Sequence, residues 1–383
     1  VRKAKVITHN LKLKLQPKTH GFQQLRELKL IFNIRLITID LFLPIKNYLS
    51  MKKNIVTLFL LISSLFCISP AQAQLGGLGK KLLDKGTDIA SGGSLNKIIK
   101  QPQAITTSFK DVNKTGSKPP SFQEGAQPQP LYLLPKAPGG GYKLCAGFYE
   151  MTNKSYCLHA GTRGPSTGDG YMLAPVLGPK RDVVILILKN AENHPEVNQR
   201  RIQILLWAII ARTKFADFGN DVKLTATQLL SPGDLLKLEG GALGILPASV
   251  MDKAKDQLPP AAQSVFEAEN NIRRLAASGN ASYDEMEKYA ILTGLAPQPD
   301  PEVPSGIWSL HPDGYYIRFF PHGYQRTTVQ IYVPQELINT KPGLVYDAPN
   351  GIACPANVGA QRLAQTNEPL NPDYNKKLTT ICN

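Results

Sequence analysis

The spacing of apolar residues changes three times along the chain. Over residues 74–141 apolar positions are sparse. Residues 74–141 hold GGLG, SGGS, KPPS, QPQP and APGGG, a composition that buries little and reads as a flexible linker. From Tyr142 the pattern turns strand-like: YKLCAGFYEM and SYCLHA read as two strands folded back around Thr152-Asn153-Lys154, and YMLAPV follows as a third. Between 182 and 293 the period becomes helical. VVILILKNA reads as a short buried element. Pro195 and Glu196 then open a helix whose Ile202, Leu205, Leu206, Ile209 and Ile210 recur at helical spacing. Further helices are expected from Ser231, over Pro247–Leu258, over Pro260–Ser278, and from a capping box at Ser282 to about Gly294. GIWSL, GYYIRFF and QRTTVQIYV return to strand character. The segment from Asn339 is rich in Pro, Asn and Gly and reads as irregular surface chain.

The order β, α, β predicts an α+β fold: a β-rich domain over 142–345 with a helical block, 182–293, inserted between N- and C-terminal sheet elements, and an irregular C-terminal segment over 346–383.

The apolar pattern also marks export. Met51 opens MKKNIVTLFLLISSLFCISPAQAQ, with two lysines, an apolar run from Ile55 to Ile68 and Ala71-Gln72-Ala73, so residues 51–73 read as a signal peptide cleaved after Ala73. Phe66 before Cys67 is too bulky for a lipoprotein signal. The apolar run is shorter than the roughly 20 residues of a membrane span, so no transmembrane segment is expected after cleavage. Residues 1–50 precede this start and read as upstream sequence translated in frame. The expected destination is the periplasm, the cell surface or the extracellular space.

This organisation reframes the charge. Of the formal +15, residues 1–50 carry +8 and Lys52 and Lys53 carry +2, leaving +5 over 74–383. No basic patch interleaved with aromatics remains, so nucleic acid is not an expected partner. An unknown protein or surface ligand is.

The chemistry then centres on cysteine. Cys145, Cys157, Cys354 and Cys382 follow the signal, and in an exported chain they read first as disulfide candidates. In the hairpin register Cys157 lies roughly 13 Å from Cys145 along the strand, beyond the ~7 Å that a disulfide allows. Either the hairpin reading is wrong, or Cys157 pairs elsewhere, or it is free. Cys157 and His159 form the one candidate catalytic pair, as in a Cys/His hydrolase; on a strand they share a face, and no protease signature surrounds them. The loop GTRGPSTGDG lacks the Gly-Lys-Ser/Thr end of a P-loop. Asp284, Glu285 and Glu287 fit helix capping and solubility. No metal-ligand spacing occurs, and no cofactor is expected.

Tyr156-Cys157-Leu158, Gln203-Ile-Leu-Leu-Trp207 in the buried helix and Val329-Gln330-Ile331-Tyr332 in a late strand resemble, in order and spacing, the thioester domains of bacterial surface adhesins. The resemblance implies a sulfur from Cys157, an acyl group from Gln330, and Gln203 and Trp207 in a supporting helical motif. It implies an adhesive role through an internal thioester. The alternative is a disulfide-stapled, non-enzymatic structural protein.

Overall fold

The computed structural model describes residues 98–379, apart from 116–117, 280, 295–299 and 301. The upstream region, the signal peptide, Cys382 and the first part of the expected linker lie outside the described residues.

Strands β1 (Gln129–Pro130), β2 (Tyr142–Lys143), β3 (Gly147–Cys157), β4 (Thr162–Arg163) and β5 (Tyr171–Pro175) precede the helical block. That block holds α1 (Arg181–Ala191), α2 (Gln199–Ile210), α3 (Asn220–Leu229), α4 (Pro232–Leu236), α5 (Ala248–Lys255), α6 (Pro260–Ala277) and α7 (Tyr283–Ala290). Then come β6 (Ile291–Leu292), β7 (Ser309–Leu310), β8 (Tyr316–Pro321), β9 (Arg326–Val333), α8 (Gln335–Thr340), β10 (Val345–Tyr346), β11 (Gly351–Pro355) and β12 (Leu363–Pro369). The architecture is α+β and sheet-rich, with helices inserted between sheet elements as expected.

The main sheet runs β5-β11-β12-β3-β9-β8-β7, and β1 joins β3 in parallel. It curls into a nearly closed barrel. At the seam the Leu173 N–H on β5 donates to Ser309 Oγ on β7 at 2.9 Å. Alternation sorts the residues: Tyr149, Met151, Ile317, Phe319, Val329, Ile331 and Leu363 fill the interior, whereas Tyr156, Met172, Ala174, Ile352 and Ala364 face the helices.

Several expectations are corrected. The hairpin around Thr152-Asn153-Lys154 does not form, because β3 runs straight through these residues. Each polar side chain finds a partner across the ladder: Thr152 bonds Thr328, Asn153 donates to the Thr366 carbonyl at 2.9 Å, and Lys154 pairs with Glu368 at 3.0 Å. A polar triplet therefore sits inside a strand at little cost.

The segment 101–141 is not a free linker. Ala104, Ile105 and Thr107 are buried, and Thr107 Oγ1 donates to the Pro175 carbonyl while accepting from Leu177 N–H, both at 2.8 Å. Gly178, at φ +121°, lets this segment pass: a Cβ there would lie 2.5 Å from the Ala104 carbonyl oxygen.

The C-terminal segment is not irregular, since β11 and β12 are central strands. Their composition hides this because buried Asn367 makes its bonds internally, accepting from Ala348 N–H at 2.9 Å and donating to Asp347 at 2.8 Å.

VVILILKNA lies within helix α1, burying Val183, Val184, Ile187, Leu188 and Ala191 along one stripe. Helix α2 starts later than Pro195, with Asn198 accepting from Arg201 N–H as its N-cap. Ser282 precedes α7 but its side chain makes no cap bond, and α7 ends at Ala290, before Gly294. No helix among the described residues is long and apolar enough to cross a membrane.

Candidate functional site

Cys157 ends β3 at a place where one neighbouring strand is missing. Strand β9 pairs with β3 from Gly147↔Val333 to Lys154↔Arg326, and the Ser155 N–H still reaches the Gln325 carbonyl at 2.9 Å. Before that, at Gly323 with φ 71°, the chain turns away. The β3 edge at Cys157 would be left buried and unpaired, which is costly for backbone polar groups.

Helix α2 supplies the missing edge with side chains. Gln203 Oε1 accepts from Cys157 N–H at 2.8 Å, and its Nε2 donates to the Cys157 carbonyl at 3.1 Å. One turn earlier, Gln199 Nε2 donates to the Ser155 carbonyl at 3.1 Å and the Gln325 carbonyl at 2.6 Å. Four helical residues rise about 6 Å and two strand residues about 6.6 Å, so glutamines at i and i+4 match backbone groups at i and i+2. One turn later stands Trp207, fully buried, its ring centroid 5.1 Å from that of Tyr283.

Cys157 is fully buried and free, as is Cys354 nearby in β11, within 1 % of complete burial. Burial pushes the Cys157 thiol well above its usual range. The Glu287 carboxylate adds to that rise, and the Trp207 indole N–H beside the sulfur opposes part of it. That N–H has no oxygen or nitrogen partner. The resting side chain is therefore the thiol, not the thiolate.

Cys145 is disulfide-bonded, with neither Cys157 nor Cys354 as its partner. A Cys145–Cys157 disulfide is therefore absent. Cys145 lies two residues before β3 and Cys157 ends it, so they are much farther apart than a hairpin would hold them.

His159 is not engaged with Cys157. Burial, then the Arg362 guanidinium, pushes its pKa down to about 3, so the ring is neutral, and its Nδ1 is buried without a partner. Arg362 also faces Cys354, whose thiol burial pushes up to about 12. The charged groups felt by Cys157 come from α7 instead.

Gln330 is also remote. It sits opposite Glu150, donates to it at 2.6 Å and accepts from Arg318 Nε at 2.6 Å. Glu150 is seven residues from Cys157 on β3, roughly 23 Å of strand. Gln330 cannot supply the acyl group to this sulfur.

Gln361 stands much closer to Cys157 in the sheet register than Gln330 does. Leu363 of β12 is the direct partner of Cys157, and the Leu158 N–H continues the ladder to the Arg362 carbonyl. Gln361, two residues before Leu363, is a diagonal neighbour of Cys157, a position that long side chains can bridge. It is fully buried. Its Nε2 donates to the Thr162 and Ala290 carbonyls, both at 3.1 Å, and its Oε1 has no partner.

Outside the niche, Gln199, Arg200, Gln203, Tyr283 and Gln325 line a pocket of about 160 Å³. Tyr283 hydrogen-bonds Tyr324 at 2.7 Å and accepts from Gln325 at 2.8 Å, and Tyr324 donates to Glu287. Sequence reasoning found Cys157, Gln203 and Trp207 but missed Gln199, Tyr283, Glu287 and Gln361. Of these, only the i, i+4 glutamine spacing carried a visible signal. Among the described residues no group of three or more His, Cys, Asp or Glu side chains could hold a metal ion.

No family model, curated protein or solved structure matches this chain.

Proposed function

We propose that this chain is an exported protein of the cell envelope or surface with a binding, adhesive role, and that its reactive centre is an internal thioester between Cys157 and Gln361. The observation carrying the reading is Gln361 itself: a fully buried carboxamide, its oxygen unpartnered, two residues before the Leu363 that pairs with Cys157. A buried acceptor without a partner is rare and calls for a reason.

In the proposed reaction the Cys157 sulfur attacks the Gln361 carboxamide carbon. The S–C bond forms, the C–N bond breaks, and nitrogen leaves as ammonia carrying the thiol proton. A dry niche protects the product from hydrolysis. An incoming amine would enter by the pocket lined by Tyr283; its N–C bond to the Gln361 carbonyl carbon forms as the C–S bond breaks, and its proton passes to the Cys157 sulfur, which leaves as the thiol. A Cys/His hydrolase is disfavoured, because burial and Arg362 hold the His159 pKa down to about 3, too weak a base to take the proton of the buried Cys157 thiol.

Methylamine tests this directly. Treated native protein, digested and mapped, is expected to show the Gln361 peptide about 14 Da heavier, through replacement of NH₂ by NHCH₃, and Cys157 newly open to alkylation. A Gln361 peptide unchanged after prolonged exposure overturns the thioester. Export is tested separately: the mature N-terminus is expected at Gln74, and a secreted form retaining Met51 contradicts it.

A further inference from the structure

A second cavity, of about 320 Å³, opens at the barrel seam, where β5 and β11 approach β7 and β8. Its walls are apolar, with Leu173, Leu310, Ile317 and Phe319 among them. Among the polar side chains that interrupt this lining are Gln365 and Tyr315. Gln365 is 2 % exposed; its Nε2 donates to the Leu363 carbonyl of its own strand at 3.2 Å, and its Oε1 has no partner among the described residues. Tyr315 is 1 % exposed, and its hydroxyl likewise has none. Both side chains line the cavity and offer hydrogen-bonding atoms to an occupant.

The rim fixes the charge of that occupant. His311 stacks on Tyr315 with centroids 4.1 Å apart, and its Nδ1 accepts from Asp313 N–H at 3.1 Å, which puts the proton of the neutral ring on Nε2. Asp347 is already engaged by Lys189 at 2.6 Å, Asn350 at 2.9 Å and Asn367 at 2.8 Å. Asp111 accepts from the Ser108 N–H at 2.7 Å. No unpaired cation awaits an anion, and both carboxylates are committed, so neither sign of ligand charge would be matched on desolvation.

We propose that this cavity is a binding site for a small neutral ligand with an apolar, ring-sized body and one hydroxyl or carbonyl group, held by Gln365, Tyr315 and His311. The volume lies at the low end of the range for ligand pockets, which sets the one- or two-ring size. The site is separate from the Cys157 niche and does not depend on the thioester.

Calorimetric titration of the mature protein with four probes tests it: 1-naphthol, naphthalene, 1-naphthoate and 1-naphthylmethylamine. 1-Naphthol is expected to bind at least tenfold more tightly than each of the other three. Gln365→Leu is expected to weaken it about tenfold while leaving the melting temperature no lower, since an unpartnered polar group is removed. Leu310→Trp at the mouth should abolish uptake. The proposal fails if none of the four binds up to millimolar concentration, if the charged probes bind as well as 1-naphthol, or if both variants bind 1-naphthol like the parent.

Discussion

At the residue scale, Cys157 owes its setting to two glutamines used as backbone. Gln203 satisfies both main-chain groups of a residue that no strand reaches on that side. Replacing it by leucine keeps the volume and orphans a buried N–H and C=O. Gln203→Leu is expected to lower unfolding stability by about 2–4 kcal/mol, and Gln199→Leu by about 1 kcal/mol, in urea denaturation. Equal losses, or none at Gln203, would contradict the edge-capping role. The motif around Gln203 and Trp207 was legible because helical spacing exposes it. Gln361 was not: Ala360-Gln361-Arg362-Leu363 breaks an apolar-Gln-apolar-apolar pattern at Arg362, while Val329-Gln330-Ile331-Tyr332 satisfies it fully. Pattern alone chose the residue on the wrong part of the sheet, since strand order is set by long-range pairing that local spacing does not encode.

At the element scale, the helical block was readable from its period, and its start and stop residues were displaced by a few positions where caps differ from those expected. The strands were harder. β3, β11 and β12 carry polar residues whose partners lie on distant strands, so Thr152-Asn153-Lys154 looked like a turn and 346–383 like surface chain. Helices α2 and α6 are joined by a buried charge cluster that no local pattern announces: Glu269 binds Arg212, just after α2, and lies 3.9 Å from Arg273, which donates to the Ala211 carbonyl at 2.6 Å. Removing the shared acid leaves two buried guanidinium groups without their counter-ion. Glu269→Ala is expected to cost about 3–5 kcal/mol by urea denaturation, and a loss below about 1 kcal/mol would show that the cluster does not clamp these helices.

At the scale of the whole molecule, the α+β class and the inserted helical block were legible, while closure of the sheet was not, because β5 and β7 meet through a side-chain hydrogen bond and apolar packing and not through ladder pairing. The buried histidines make stability depend on pH. His159 and His311 have folded values pushed down to about 3 and about 4, chiefly by burial, against an unfolded value of about 6.5. Below pH 6.5 the unfolded chain takes up protons that the folded one refuses, so their stabilisation is complete above that pH and is lost as pH falls toward 3 to 4. Urea titrations at pH 7, 5.5 and 4 should show this decline, and His159→Asn should make it shallower; a flat profile would contradict the buried neutral rings.

The thioester is tested most directly by intact mass of the mature protein. The account predicts a mass about 17 Da below the sequence value, beyond the roughly 2 Da of each disulfide. That deficit should vanish in Cys157→Ala and in Gln361→Ala and persist in Gln330→Ala. A parent protein at full mass, or a deficit that survives Gln361→Ala, would contradict it.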